Sequence, residues 1–188
     1  MRCFIAIDID RETRTALANL QQEIAAKADV GKRDAKWVEL ENVHLTLKFL
    51  GEIKDQQVLQ ACDITEQVAA RHTGFDIDIE KVGCFGGRTA RVVWVGTGQG
   101  SDKLADLQKD LDQHLAQAGF AEDNRAFSAH LTLCRIKNAA AGKRLARLAE
   151  LHKDFKAGSV AADSLCVYQS QLTPKGPVYT LIGKYNLR

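Results

Sequence analysis

The sequence predicts an α+β fold of two lobes related by an approximate two-fold. Each lobe is expected to be a largely antiparallel sheet with helices on its outer side, and the active-site cleft lies between the lobes. Three observations carry this prediction. The tetrapeptide His-Leu-Thr-Leu occurs twice, at residues 44–47 and 130–133. Its two histidines stand 86 residues apart (130 − 44), close to half of the 188-residue chain. Each copy is followed by a helix and then a hairpin rather than by regular strand–helix–strand units, which favours α+β over a doubly wound sheet.

The elements follow in order. Residues 3–9 (CFIAIDI) are rich in β-formers and read as a strand. Asp10 suits the N-cap of the next helix, with Glu12 in its first turn and Thr13, Leu17, Leu20 and Ile24 in one apolar stripe. Residues 29–35 make a polar loop, 36–39 (KWVE) a short extended piece, and 42–50 the first motif strand, ended at Gly51. A second helix is expected over 55–72, with Val58, Cys62, Thr65 and Val68 inward. Residues 75–79 alternate cleanly, and a turn at Gly86-Gly87 joins them to a strand over 90–95. Ser101 is the expected cap of a third helix carrying Leu104, Leu107, Leu111 and Leu115, stopped by Gly119. The second motif strand runs over 127–135, and a fourth helix with Leu145, Leu148 and Leu151 reaches roughly Phe155. Residues 160–172 read as a strand, 174–177 (PKGP) as a turn, and 178–187 as a closing strand. Spacing repeats as well: His44 to Val82 and His130 to Tyr168 are both 38 residues, and His44 to Trp94 and His130 to Thr180 both 50. Residues 1–188 are therefore read as a single domain of two interleaved lobes.

Composition narrows the function. At 45% hydrophobic and 27% charged, the chain can bury a full core. A net charge of +2 is too mild to announce nucleic-acid binding, though it leaves room for a local basic cleft. Five scattered cysteines without a CxxC suggest neither a disulfide framework nor a zinc knuckle, so a reducing, cytoplasmic setting fits. No stretch approaches the ~20 apolar residues of a membrane span, and the opening MRCFIAIDID is too short and acidic for a signal peptide.

On a strand of period two, the histidine and threonine of each HLTL share one face and the leucines the other. With the leucine faces buried, two such strands meeting across a cleft bring His44, Thr46, His130 and Thr132 together. Two imidazoles of ordinary pKa ~6.5 can hold opposite protonation states near neutral pH, one taking a proton from water and one giving a proton to a leaving oxygen. The two hydroxyls can donate to the non-bridging oxygens of a phosphate. This scheme calls for no metal and no cofactor. Phe49 and Arg135 stand five residues beyond their histidines, and strict parity turns them away from the site. A bulge at the strand end would swing them in, Phe49 to stack on a base and Arg135 to grip phosphate. Arg125 and Lys48 are candidate rim contacts for an RNA backbone, with solvated surface charge as the alternative. Gly96–Gly100 reads as a helix-entry turn, because it lacks the lysine and spacing of a P-loop. Trp37 and Trp94 read as core. His72, His114 and His152 fall on predicted helices without metal-ligand spacing.

The paired motifs resemble those of the 2H phosphoesterase superfamily. Within it the chain is most similar to the RNA 2′,3′-cyclic phosphodiesterases, also called 2′-5′ RNA ligases. The similarity covers nearly the whole chain: RCFIAID, WVELENVHLTLKFLGE, ARVVWVG, NRAFSAHLTLCR and the PKGPVY turn. It implies a monomeric hydrolase acting on RNA 3′ ends that carry a 2′,3′-cyclic phosphate, tRNA fragments among them, to leave a 2′-phosphate. It also implies that the reaction can run backward as 2′-5′ ligation, with His44 as proton donor and His130 as proton acceptor. One departure is visible, since the family often has proline before the second histidine and Ala129 stands there, after Ser128. Its loss is expected to loosen the strand entry without removing a chemical group. Two other readings stand beside this one: a module that binds RNA ends without turnover, and the same chemistry on another compound such as an ADP-ribose cyclic phosphate or a 2′-5′ oligoadenylate.

Overall fold

The apolar stripes read from the sequence become the inner faces of the helices. The computed structural model describes residues 1–123, 126–174 and 176–188. Helix α1 (Arg11–Ala28) is capped by Asp10, whose side chain accepts from the Thr13 N–H at 2.7 Å, and it buries Thr13, Leu17, Leu20, Ile24 and Ala28. Helix α2 (Asp55–Ala69) buries Val58, Cys62, Thr65 and Val68, and α3 (Ser101–Gln117) buries all four of its expected leucines. Gly100, not Ser101, holds the cap position of α3: it is left-handed at φ 86°, and the Ser101 hydroxyl donates to the Gly98 carbonyl at 2.6 Å. Helix α4 (Ala139–Leu151) stops short of Phe155 and turns Ala141, Gly142, Leu145 and Ala149 inward, leaving Leu151 77% exposed. A repeat of strictly three residues walks around a helix of 3.6 residues per turn, so the third leucine leaves the buried face.

Nine strands are described: β1 (Arg2–Asp8), β2 (Ala35–Trp37), β3 (His44–Glu52), β4 (Phe75–Phe85), β5 (Val92–Thr97), β6 (His130–Ile136), β7 (Lys156–Ala162), β8 (Ser164–Thr173) and β9 (Gly176–Asn186). They form two antiparallel sheets, one ordered β3-β1-β8-β9 and the other β2-β6-β5-β4-β7. The stretch read as one strand over 160–172 is two, broken at Asp163, with β7 on the edge of the second sheet and β8 inside the first. No glycine or proline marks this crossing, so local sequence does not betray it.

The register shows how the repeat is built. One unit is β1-α1-β3-α2-β4 and the next is β5-α3-β6-α4-β8. Each motif strand pairs with the first strand of its own unit, β3 with β1 and β6 with β5, while the third strands exchange sheets. Phe4 on β1 pairs with Phe49 and Tyr168, and Val92 on β5 pairs with Arg135 and Phe85. Tyr168 therefore corresponds to Phe85, three residues past the Val82 that simple counting selects. Likewise Thr180 lies on the edge strand β9, whereas Trp94 lies on β5 beside the motif strand. Unequal connections shift the count without disturbing the repeat. Among the described residues no helix is long and apolar enough to cross a membrane.

Candidate active site

Both motif strands carry the same irregularity in the same place. On β3, Thr46 pairs with Ala6 but Lys48 pairs with Ile5, so Leu47 is an extra residue. On β6, Thr132 pairs with Trp94 but Cys134 pairs with Val93, so Leu133 is extra. The bulge reverses parity beyond it. Two consecutive inward residues follow in each strand (Leu47-Lys48 and Leu133-Cys134), and Phe49 and Arg135 emerge exposed on the histidine face. Of the two orientations open from sequence, the structure adopts the bulged one.

The motif strands approach within 8 Å Cα to Cα. Between the sheets lies a cleft of about 710 Å³, lined from the first sheet by His44, Thr46, Phe49 and Tyr179, and from the second by His130, Thr132, Arg135 and Phe85. Six of the eight residues singled out for the site thus share one cavity; Lys48 does not line it, and Arg125 lies outside the described residues.

The two histidines are held differently. The His44 ring stacks on Phe4 at 4.6 Å between centroids and meets the edge of Tyr179 at 5.3 Å. Burial pushes its pKa down to about 4; Asp8 and a backbone hydrogen bond to Asn42 oppose that shift, and Arg14 adds to it. His130 sits edge-on to Phe85 at 5.0 Å, and its Nδ1 lies 2.7 Å from the Ser128 carbonyl oxygen. A carbonyl can only accept, so Nδ1 carries the hydrogen and the Nε2 lone pair of the neutral ring is left free. This tether is made with Ala129 standing before the histidine.

Lys48 is not a rim contact. It is 2% exposed on the far face of β3, where its ammonium pairs with Asp112 of α3 and with Asp123 at 3.2 Å. The same bulge that presents Phe49 turns Lys48 inward. The reading of Trp94 as core is corrected too. Trp37 packs against the core yet lines the cleft, and Trp94 lies 6.4 Å from His130 and 5.4 Å from Phe85. The Trp94 indole lies over Gly83, where an added Cβ would meet it at 2.4 Å. His72 instead pairs with Asp110 of α3 at 2.9 Å and His152 with Glu23 of α1 at 3.1 Å, as links between elements, while His114 pairs with Asp110 at 3.1 Å one turn away within α3.

Sequence reasoning missed Phe4, Phe85, Tyr168, Tyr179 and Asp8. The Tyr168 hydroxyl donates to both Asp8 carboxylate oxygens at 2.9 Å, and burial with that carboxylate pushes the phenol pKa up. Burial likewise raises Tyr179, against the opposing pull of Arg135 and Arg2. No periodic signal marks Phe4, because β1 is buried on both faces and reads as a continuous apolar run.

Comparison with known proteins agrees with this geometry. The sequence pattern of the LigT-like phosphoesterases matches residues 7–94 and again 95–179, once for each repeat. An RNA 2′,3′-cyclic phosphodiesterase of Methanocaldococcus jannaschii is 31% identical over 98% of this chain and 100% of its own length. A crystal structure from Thermus thermophilus superposes with a TM-score of 0.81 at 25% identity, covering 100% of this chain and 98% of that one. Escherichia coli LigT in complex with 3′-AMP gives 0.77 at 25% identity, over 99% and 97%.

Proposed function

The chain belongs to the LigT-like phosphoesterase family, and from that premise we propose that it opens 2′,3′-cyclic phosphate ends of RNA to 2′-phosphomonoesters. The observation that carries the reading is the convergence of two His-x-Thr faces on one cleft. The full-length similarity to an RNA 2′,3′-cyclic phosphodiesterase supplies the substrate class.

In this mechanism His130 accepts a proton from water through the free Nε2 as the water oxygen attacks phosphorus. The bond from phosphorus to O3′ breaks, and His44 delivers a proton to that oxygen, leaving a 3′-hydroxyl and a 2′-phosphate. Thr46 and Thr132 donate to the non-bridging oxygens as charge builds there. Arg135 adds a guanidinium to the phosphate side of the cleft, and Phe49, 63% exposed at its mouth, offers a face to a base. Burial holds His44 toward its neutral form, and the arriving phosphodiester anion raises its pKa so that it binds the proton it later donates. With the 5′-hydroxyl of a second RNA in place of water, the same steps open the cyclic phosphate to a 2′-5′ phosphodiester, His130 taking the hydroxyl proton and His44 protonating the departing O3′. The proposal includes metal independence, action as a monomer and a cytoplasmic setting.

The test is incubation with a short RNA ending in a 2′,3′-cyclic phosphate, in EDTA, with products typed against 2′- and 3′-phosphate markers. Conversion to the 2′-phosphate is expected. A folded protein that binds the RNA without converting it would overturn the reading in favour of a binding module. The depressed His44 favours one alternative, in which His44 is the base and His130 the acid. A substrate with sulfur in place of O3′ needs no acid, so it should rescue His44→Ala but not His130→Ala. Rescue of His130→Ala instead would exchange the roles.

A further inference from the structure

The repeat allows each neighbour of one histidine to be set beside its counterpart at the other. On β1 the residue directly opposite His44 is Asp8, and on β5 the residue directly opposite His130 is Gly96. Directly opposed residues of an antiparallel pair hold their Cβ atoms within about 5 Å of each other. Tyr168 and Phe85 correspond in the same way, and they differ by one hydroxyl. That hydroxyl donates to both oxygens of Asp8, at 2.9 Å each. Phe4 stacks on His44 at 4.6 Å and on Tyr168 at 5.4 Å, so all four side chains share one face of the sheet. The first lobe therefore carries a tethered carboxylate beside its histidine, and the second has neither the carboxylate nor the hydroxyl at the matching positions.

We propose that Asp8, held by Tyr168, is the positioning residue that lets His44 carry a proton in the cleft, so that the Asp8–Tyr168 pair breaks the symmetry between two otherwise equivalent histidines. This rests on the cleft being a phosphoesterase site. Among the described residues, four titratable or charged groups bear on His44: Asp8 from β1, Arg14 from α1, Tyr168 from β8 and Tyr179 from β9. Arg14 opposes the proton, and both phenols are pushed toward staying neutral. Asp8 is thus the one of these four that draws a proton onto the imidazole, and the tyrosine hydroxyl fixes where its charge sits. With burial set against it, His44 needs that carboxylate and the substrate phosphate together.

The test is Asp8→Asn, which keeps the shape and an oxygen to accept from Tyr168 but removes the charge. The His44 titration midpoint, followed by NMR in protein saturated with inorganic phosphate, should fall by about 1 unit or more relative to wild type. The pH–rate limb belonging to His44 should move down with it, and kcat near neutral pH should drop about tenfold with KM little changed. A purely structural role would lower the melting temperature and leave the midpoint and the limb in place, and that result overturns the proposal. Because the midpoint is read without turnover, it stands or falls separately from the assigned reaction. Should Asp8→Asn prove too unstable to titrate, Tyr168→Phe must lower the midpoint in the same direction by a smaller amount, and no displacement there overturns the proposal equally.

Discussion

Strands β3 and β6 carry the same tetrapeptide, the same bulge and the same order of buried and exposed positions, yet they give their histidines different surroundings. His44 is packed between aromatic rings beside a carboxylate, and burial holds it toward its neutral form. His130 makes the same kind of backbone hydrogen bond two residues back, to Ser128, but sits edge-on to Phe85 and faces a glycine across the strand pair. Duplication supplies two imidazoles on one cleft, and the strands behind them make the two unequal. Acid–base catalysis needs that inequality, since two identical groups have no reason to divide donor from acceptor.

The bluntest way to break the comparison is to remove either imidazole. His44→Ala and His130→Ala should each lower kcat by ~10²–10⁴-fold, with the fold intact by circular dichroism. A next test reads the inequality as stability. The folded His44 midpoint of about 4 lies below the ordinary ~6.5, so between those values the unfolded chain binds the extra proton. Its contribution is therefore fully present above pH ~6.5 and is lost as pH falls through the window to about 4. Denaturant melts of wild type should lose up to about 3 kcal/mol across that window relative to His44→Gln. An equal pH slope in both proteins would show that His44 is not held neutral. The smallest effect probes the second lobe alone. Gly83→Ala would drive a Cβ into the Trp94 ring at 2.4 Å, at a cost of ~1–3 kcal/mol, and should disturb His130 while leaving the His44 titration unchanged.

Much of this was legible in the sequence, because helices announce themselves by period. The inward stripes of α1, α2 and α3 were readable residue by residue, and two copies of HLTL half a chain apart placed the cleft between two strands. What escaped was set by pairing between distant strands. Nothing near Asp163 marks the crossing from one sheet to the other, since both sides of it are good strand sequence. The bulges could be named as a possibility but not placed, because a charged Lys48 hides the second inward position on β3 behind a residue that reads as exposed. A buried ion pair with α3 resolves that conflict in the structure. Asp8 was missed for a related reason: its value lies in standing opposite His44, 36 residues away in sequence (44 − 8).

The most direct test of unequal histidines is the titration of His44 in the wild-type protein, followed by NMR with and without inorganic phosphate. A midpoint near 4 in the empty protein, rising by at least about 1 unit when phosphate is bound, is the predicted result. A midpoint near the ordinary ~6.5 without phosphate, unmoved when phosphate is added, would contradict it.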